Sequence, residues 1–226
     1  MFIQLSRQAR LRPGYAVAVG ALAIATLSFV TPAKADSTEP DTPGRVRLSA
    51  GVQSPRDQSA RDLAGTAFAT LGATYTITHN LLIPNSELEV YADYDAGSKS
   101  VDISDSSITV TGTGQVHALG IGPALRISLG NATKTHLFID GGVGLYFSTA
   151  KFGVSATDGT NSANLGSISH NSSGIGGRIL VGVEKAKGVF GEIGYDVAPS
   201  VALDLGSDSL KIKPGGLLVR IGYHFF

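Results

Sequence analysis

The sequence has no cysteine, no tryptophan and only one methionine. Without cysteine there can be no disulfide framework, thiol catalysis or Cys-based metal site. Beyond residue 35 no apolar stretch approaches the roughly 20 residues that a membrane-spanning helix needs, so any insertion by this part of the chain must use strands. A charge excess is also missing. Lys plus Arg number 18 and Asp plus Glu 18, with no basic run, which argues against nucleic acid as a partner. The five histidines, His79, His117, His136, His170 and His224, show no His-x-x-x-His spacing, so neither a metal site nor a cofactor is expected. Gly141-Gly142 and the cluster from Gly174 to Gly177 lack the Lys-Ser/Thr and following helix of a phosphate loop.

The N-terminus reads as a targeting segment. Arg7, Arg10 and Arg12 precede an apolar run from Tyr15 to Val30, and Ala33-Lys34-Ala35 fits the small-x-small rule for signal peptidase. The expected organisation is a cleaved signal peptide over 1–35, a flexible periplasmic arm over 36–44 and one β-barrel domain over 45–226. Residues 1–35 hold four basic residues and no acid, so the mature chain carries 18 − 4 = 14 basic against 18 acidic residues.

What the rest of the chain has is alternation. In the last twelve residues, GGLLVRIGYHFF, Leu217, Val219, Ile221, Tyr223 and Phe225 form one face, while Leu218, Arg220, Gly222 and His224 form the other. A period of two means a strand. The same pattern returns over 45–52, 66–77, 87–95, 116–129, 136–148, 175–184 and 189–197, giving eight strands. Pro123 removes one ladder hydrogen bond, so a bulge is expected there. The connections 53–61, 97–113, 151–173 and 200–213 are long and polar, whereas 79–86, 130–135 and 185–188 are short. Long and short ends then fall on opposite sides, as in an all-β, eight-stranded antiparallel up-and-down transmembrane barrel with both termini in the periplasm.

The two faces differ in chemistry. Arg45, Arg47, Glu87, Glu89, Asp93, Arg126, Asp140, Arg178, Glu184, Glu192, Asp196 and Arg220 share the polar parity, with Asp95. An eight-stranded barrel has room inside only for side chains, so these residues are expected to form an interior ion-pair network; the alternative is the lining of a narrow polar pore. On the apolar parity Tyr94, Phe147 and Tyr195 fall near the predicted extracellular strand ends, and Tyr75, Tyr223 and Phe225 near the periplasmic ends, as two aromatic girdles.

The closing strand LLVRIGYHFF and the glycine-punctuated strand HLFIDGGVGLYF (His136 to Phe147) resemble those of the small eight-stranded outer-membrane barrels, the OmpA/OmpX-type, OmpW-type and opacity-like proteins. The resemblance covers 45–226 as a pattern. It implies a Gram-negative outer-membrane location, contact with outer-membrane lipid and lipopolysaccharide, and recognition of the C-terminal strand by the barrel-assembly machinery. In that family the last residue is usually the outward aromatic. Here Phe225 meets the parity, and Phe226 is one residue too many. No peptidoglycan-binding domain like that of some relatives is expected.

His170, Ser172 and Glu184 faintly resemble the His-x-Ser and Glu arrangement of outer-membrane lipid A deacylases, in which all three must meet for Ser to be activated. Twelve residues of strand between Ser172 and Glu184 would hold them some tens of ångströms apart, so no catalytic residues and no enzyme are expected. The connection 151–173, rich in Ser, Asn, Gly and Thr, reads as a solvated mobile loop or as a surface for an extracellular ligand. The functional expectation is a non-enzymatic outer-membrane protein with a structural or adhesion-type role carried by extracellular loops. The alternative is a narrow channel for ions or small solutes.

Overall fold

The computed structural model describes residues 45–80, 83–105, 107–130, 135–185, 188–204 and 209–225; the predicted signal peptide, the arm over 36–44 and Phe226 lie outside them. Eight strands close into a ring: β1 (Val46–Pro55), β2 (Phe68–His79), β3 (Ser86–Asp105), β4 (Ile108–Leu129), β5 (His136–Thr157), β6 (Ser162–Glu184), β7 (Val189–Val197) and, after the two short strands given below, β10 (Gly216–Phe225). Neighbours are antiparallel, and β10 closes the ring on β1 from Val46 opposite Phe225 to Pro55 opposite Gly216. Every barrel edge in this zone is therefore paired.

The inverted pattern of the sequence is the pattern of burial. On the outer face Val143 is 63% exposed and Ile221 67%, whereas on the inner face Arg126 is 2% and Glu89 0% exposed. Outward apolar residues on β5 run from Leu137 to Phe147, ten residue steps or about 33 Å of strand. With a strand tilt near 40° that is a belt about 25 Å tall, the height of the hydrocarbon zone spanned by membrane barrels.

Three expectations are corrected. The predicted loops 97–113 and 151–173 are strand for most of their length: β3 and β4 remain paired out to Asp105 opposite Ile108, and β5 and β6 out to Thr157 opposite Ser162. Polar composition does not preclude strand, because Ser and Thr pairs hydrogen-bond across a ladder. The connection 53–61 is also no simple loop. It continues β1 and then forms the helix α1 (Gln58–Ala64), capped by Asp57 accepting from Ala60 N at 3.2 Å, while 200–213 contains the hairpin β8 (Val201–Asp204) and β9 (Ser209–Ile212). Finally, Pro123 makes no bulge. It faces outward opposite Val90 in unbroken register; the ladder to β5 lapses at Gly122 and Pro123 and resumes at Ala124 with the register unchanged. The shifts fall instead between Thr76 and Thr78 and between Val154 and Ser155.

The β5–β6 hairpin owes its tightness to one carboxylate. Asp158 accepts from Asn161 N at 2.6 Å and Thr160 N at 2.9 Å, and Gly159 supplies the positive φ of 90°. These amides hold the Asp158 carboxyl below its usual pKa, Asn161 most of all. A depressed carboxyl contributes stability above its unfolded value, near pH 4, and loses it as pH falls through the folded value. The protection factors of the Thr160 and Asn161 amides are expected to fall selectively below that pH, and Asp158→Ala to give the same loss of protection at neutral pH.

Candidate functional site: the charged lumen and the projecting sheet

The lumen is packed by a rule visible in the register. Four large inward aromatics pair across the ladder with an inward glycine, Tyr91 with Gly122, Tyr146 with Gly120, Phe138 with Gly182 and Phe190 with Gly222, whereas Phe68 stands opposite Gln53. In three of these pairs the ring lies over its glycine, so that a Cβ on Gly120 would come within 2.5 Å of the Tyr146 ring, whereas the Tyr91 ring lies over Gly142, at 2.7 Å from a Cβ there. Glycine here provides volume for an aromatic side chain. Tyr91 and Tyr146 meet hydroxyl to hydroxyl at 3.4 Å in the middle of the barrel.

Around these rings the charges are distributed in three groups. At the centre Arg178 donates to Asp93 at 2.7 Å and to Asp140 at 3.1 and 3.3 Å, and Arg220 donates to Asp93 at 2.5 Å and to Glu192 at 2.8 Å. Asp93 thus bridges two guanidiniums. Arg47 pairs with Glu89 and lies 3.7 Å from Asp140, joining a fourth carboxylate to the same group. Toward the closing turns Arg126 pairs with Glu184, which also meets His224 Nδ1 at 2.9 Å, and the Arg126 guanidinium lies 3.6 Å from the Phe138 ring centroid. Toward the other end Asp196 accepts from Gln53 Nε2 at 2.6 Å and Gly216 N at 2.9 Å.

Of the charged residues singled out in the sequence, Arg45 and Glu87 are only partly buried; Glu87 lies 3.4 Å from His79. The sequence reading missed Gln53, assigned to a loop, and the inward aromatics as fillers. The Gly–aromatic spacing could have revealed the latter. Ser172 and Glu184 lie on one continuous strand, about 40 Å apart along it, and Glu184 is engaged by Arg126 and His224. The His170, Ser172 and Glu184 trio is not assembled.

One end of the lumen is closed by apolar packing. α1 and the β8–β9 hairpin place Ala60, Ala64, Val201, Leu203 and Ile212 against Phe68, Val116 and Ala150 of the barrel wall. Leu63, Phe152 and Leu210 flank this cap.

Beyond the cap β3, β4, β5 and β6 continue as a four-stranded sheet, and the polarity of the two faces exchanges. Tyr94, Leu119 and Phe147 are neighbours in register on the outer face. Above them the same face carries Ser100 bonded to Thr113, Ser104 to Thr109 and Thr149 to Asn171. The opposite face, polar in the lumen, becomes apolar with Val101, Ile103, Val110, Phe152 and Val154, which line a cleft of about 310 Å³ beside Leu63. A soluble sheet wants one polar face; this one has it only above the aromatics. The projecting sheet also has two open edges, because β2 pairs with β3 only as far as Ala96 and β7 with β6 only from Gly177 to Glu184. Among the described residues the backbone of 97–105 and 162–176 therefore has no strand partner on its outer side.

The aromatics of the predicted girdles stand on the outer face. Tyr75, Tyr94, Phe147 and Tyr223 are exposed, Tyr195 and Phe225 partly so. Tyr223 and Phe225 touch edge to face with centroids 4.9 Å apart, and the Tyr94 hydroxyl is 2.8 Å from His117 Nδ1.

No family model matches the sequence, and no curated protein matches it. Among solved structures the chain is similar to Ail, the attachment invasion locus protein of Yersinia pestis, in complex with the heparin analogue sucrose octasulfate, at 18% identity and a TM-score of 0.49 over 81% of this chain and 100% of that one. A second crystal structure of Ail matches at 19% identity and a TM-score of 0.44 over the same shares.

Proposed function

We propose that the chain is an integral outer-membrane barrel of a Gram-negative cell with a surface-interaction role, carried by the projecting β3–β6 sheet. The observation behind this reading is the exchange of polarity along continuous strands. An apolar outer face about 25 Å tall, ending in aromatics and giving way to hydroxyls, suits a wall that leaves lipid for water. In this reading the cap and projecting sheet are extracellular and the turns near His224 periplasmic. β10 would present its outward aromatics to the barrel-assembly machinery. The open edges of 97–105 and 162–176 offer backbone donors and acceptors to an extended segment of a partner, the mode in which main-chain bonds give affinity. The channel reading gains no support from a lumen filled by Tyr91, Tyr146 and paired charges beneath an apolar cap.

The purified protein is expected to require detergent and to migrate differently on gels before and after heating; a freely soluble monomer would refute membrane insertion. Trimming the β5–β6 hairpin back to the Thr149–Asn171 pair should preserve that gel shift and abolish binding of expressing cells to a host-cell or matrix surface. Unchanged binding would remove the sheet from the role.

A further inference from the structure

The outer face of the projecting sheet contains a cleft of about 400 Å³ lined by Thr113, Gln115, Lys151, Ser155, Asn164 and Ser167. We propose that this cleft holds the oligosaccharide of an outer-leaflet glycolipid, so that the protein grips the sugar of the same molecules whose acyl chains contact its belt. The inference rests on the membrane reading above and specifies one of its partners.

Three observations support it. The first is continuity. Lys151 lies on the same strand and face as Phe147, four residues higher, and Ser155 eight residues higher, about 13 and 26 Å along the strand and somewhat less in height because strands tilt. A molecule with its chains against Val143 and Leu145 carries its head group past this cleft. The second is chemistry. Hydroxyls, amides and one cation share the lining with Val154 and Ala163, and among the described residues the side chains of Gln115, Lys151, Ser155 and Ser167 have no partner within the chain. Such groups match the hydroxyls of a sugar, and Lys151 matches an acidic or phosphorylated one.

The third is Gly153, which forms the notch between Lys151 and Ser155. Its φ is not in the left-handed range, and an added Cβ would approach nothing closer than Ser167 Cβ at 3.7 Å. Neither backbone nor packing requires glycine there, and a strand interior disfavours it. The absent side chain leaves the cleft open. The register shift between Val154 and Ser155, opposite Gly166 and Asn164, falls at the same spot.

The test is an NMR titration of the full protein in phospholipid nanodiscs with core oligosaccharide cleaved from its lipid, compared with the protein in nanodiscs containing intact lipopolysaccharide. Shifts are expected at 113–115, 151–155 and 164–167 in both. Gly153→Val should keep the folded spectrum and weaken oligosaccharide binding at least about tenfold, and Lys151→Gln should weaken it only for acidic or phosphorylated forms. An inserted, folded protein with no shifts at these residues, or with shifts confined to other surfaces, would overturn the cleft while leaving the membrane reading intact. Failure to insert into either disc would overturn both.

Discussion

Arginine in place of Val143 is expected to lower the unfolding free energy in a bilayer by about 2–4 kcal/mol. Val143 is 63% exposed, four residues below Phe147 and six above Leu137, near the middle of the apolar belt. Across the ladder it faces Gly177, so an arginine there meets no steric obstacle. In water such a surface change would fall within about 0.5 kcal/mol of neutral. The whole expected loss therefore comes from the cost of placing a guanidinium in hydrocarbon, and urea titration of the protein folded into liposomes measures it. Ser155→Arg, twelve residues up the same strand and above the aromatics, is the internal control and should be neutral. If both substitutions are neutral, the belt does not lie in lipid; if both are costly, the loss reflects the strand and not its surroundings.

The strand count, the pairing order and the assignment of faces follow from alternation, because a period of two in an eight-membered closed sheet leaves one consistent arrangement. Alternation failed where both faces lose their contrast or exchange it. From Gly97 upward the outward positions are mostly Ser and Thr, with Asp102, Gln115 and Lys151, and the inward ones, Lys99 apart, mostly Val, Ile and Gly, opposite in sense to the strand below. A reading that seeks apolar-out and polar-in stops at the exchange and sees a loop. The apolar cap escaped for a related reason. Ala60, Leu63 and Ala64 make too short a helical stripe to stand out, and their partners Val201, Leu203 and Ile212 are remote in sequence. The charged lumen was legible as a set of residues but not as a set of pairs. Nothing in the sequence says that Asp93 of β3 reaches Arg178 and Arg220 on the far side of the barrel; that depends on barrel diameter and on the glycines that leave the space empty.

Arg220→Ala should be the most damaging substitution in the lumen, costing about 3–5 kcal/mol, because it removes one partner of a buried group and leaves the others charged. Arg220 is 3% exposed and connects Asp93 to Glu192, so its loss leaves Glu192 without a guanidinium and Asp93 dependent on Arg178 alone. Lysine should not rescue it, since a single ammonium cannot reproduce the two directions in which Nη1 and Nε point. Arg220→Leu combined with Glu192→Gln should recover part of the loss, because it removes the orphaned charge along with its partner. Gly72 provides the decisive control. A Cβ there would lie 2.6 Å from both Arg220 Nη1 and Ser49 Oγ and 2.9 Å from Asp93 Oδ1, so Gly72→Ala should destabilise the native barrel by displacing the guanidinium and the Ser49 hydroxyl. In the Arg220→Ala background the contact with Nη1 is gone while those with Ser49 and Asp93 remain, and the second substitution should cost less. A double-mutant cycle by urea unfolding in liposomes reads this coupling directly. Strict additivity would mean that the guanidinium does not occupy the space that Gly72 leaves for it, and the central Arg178–Asp93–Arg220 bridge would have to be abandoned.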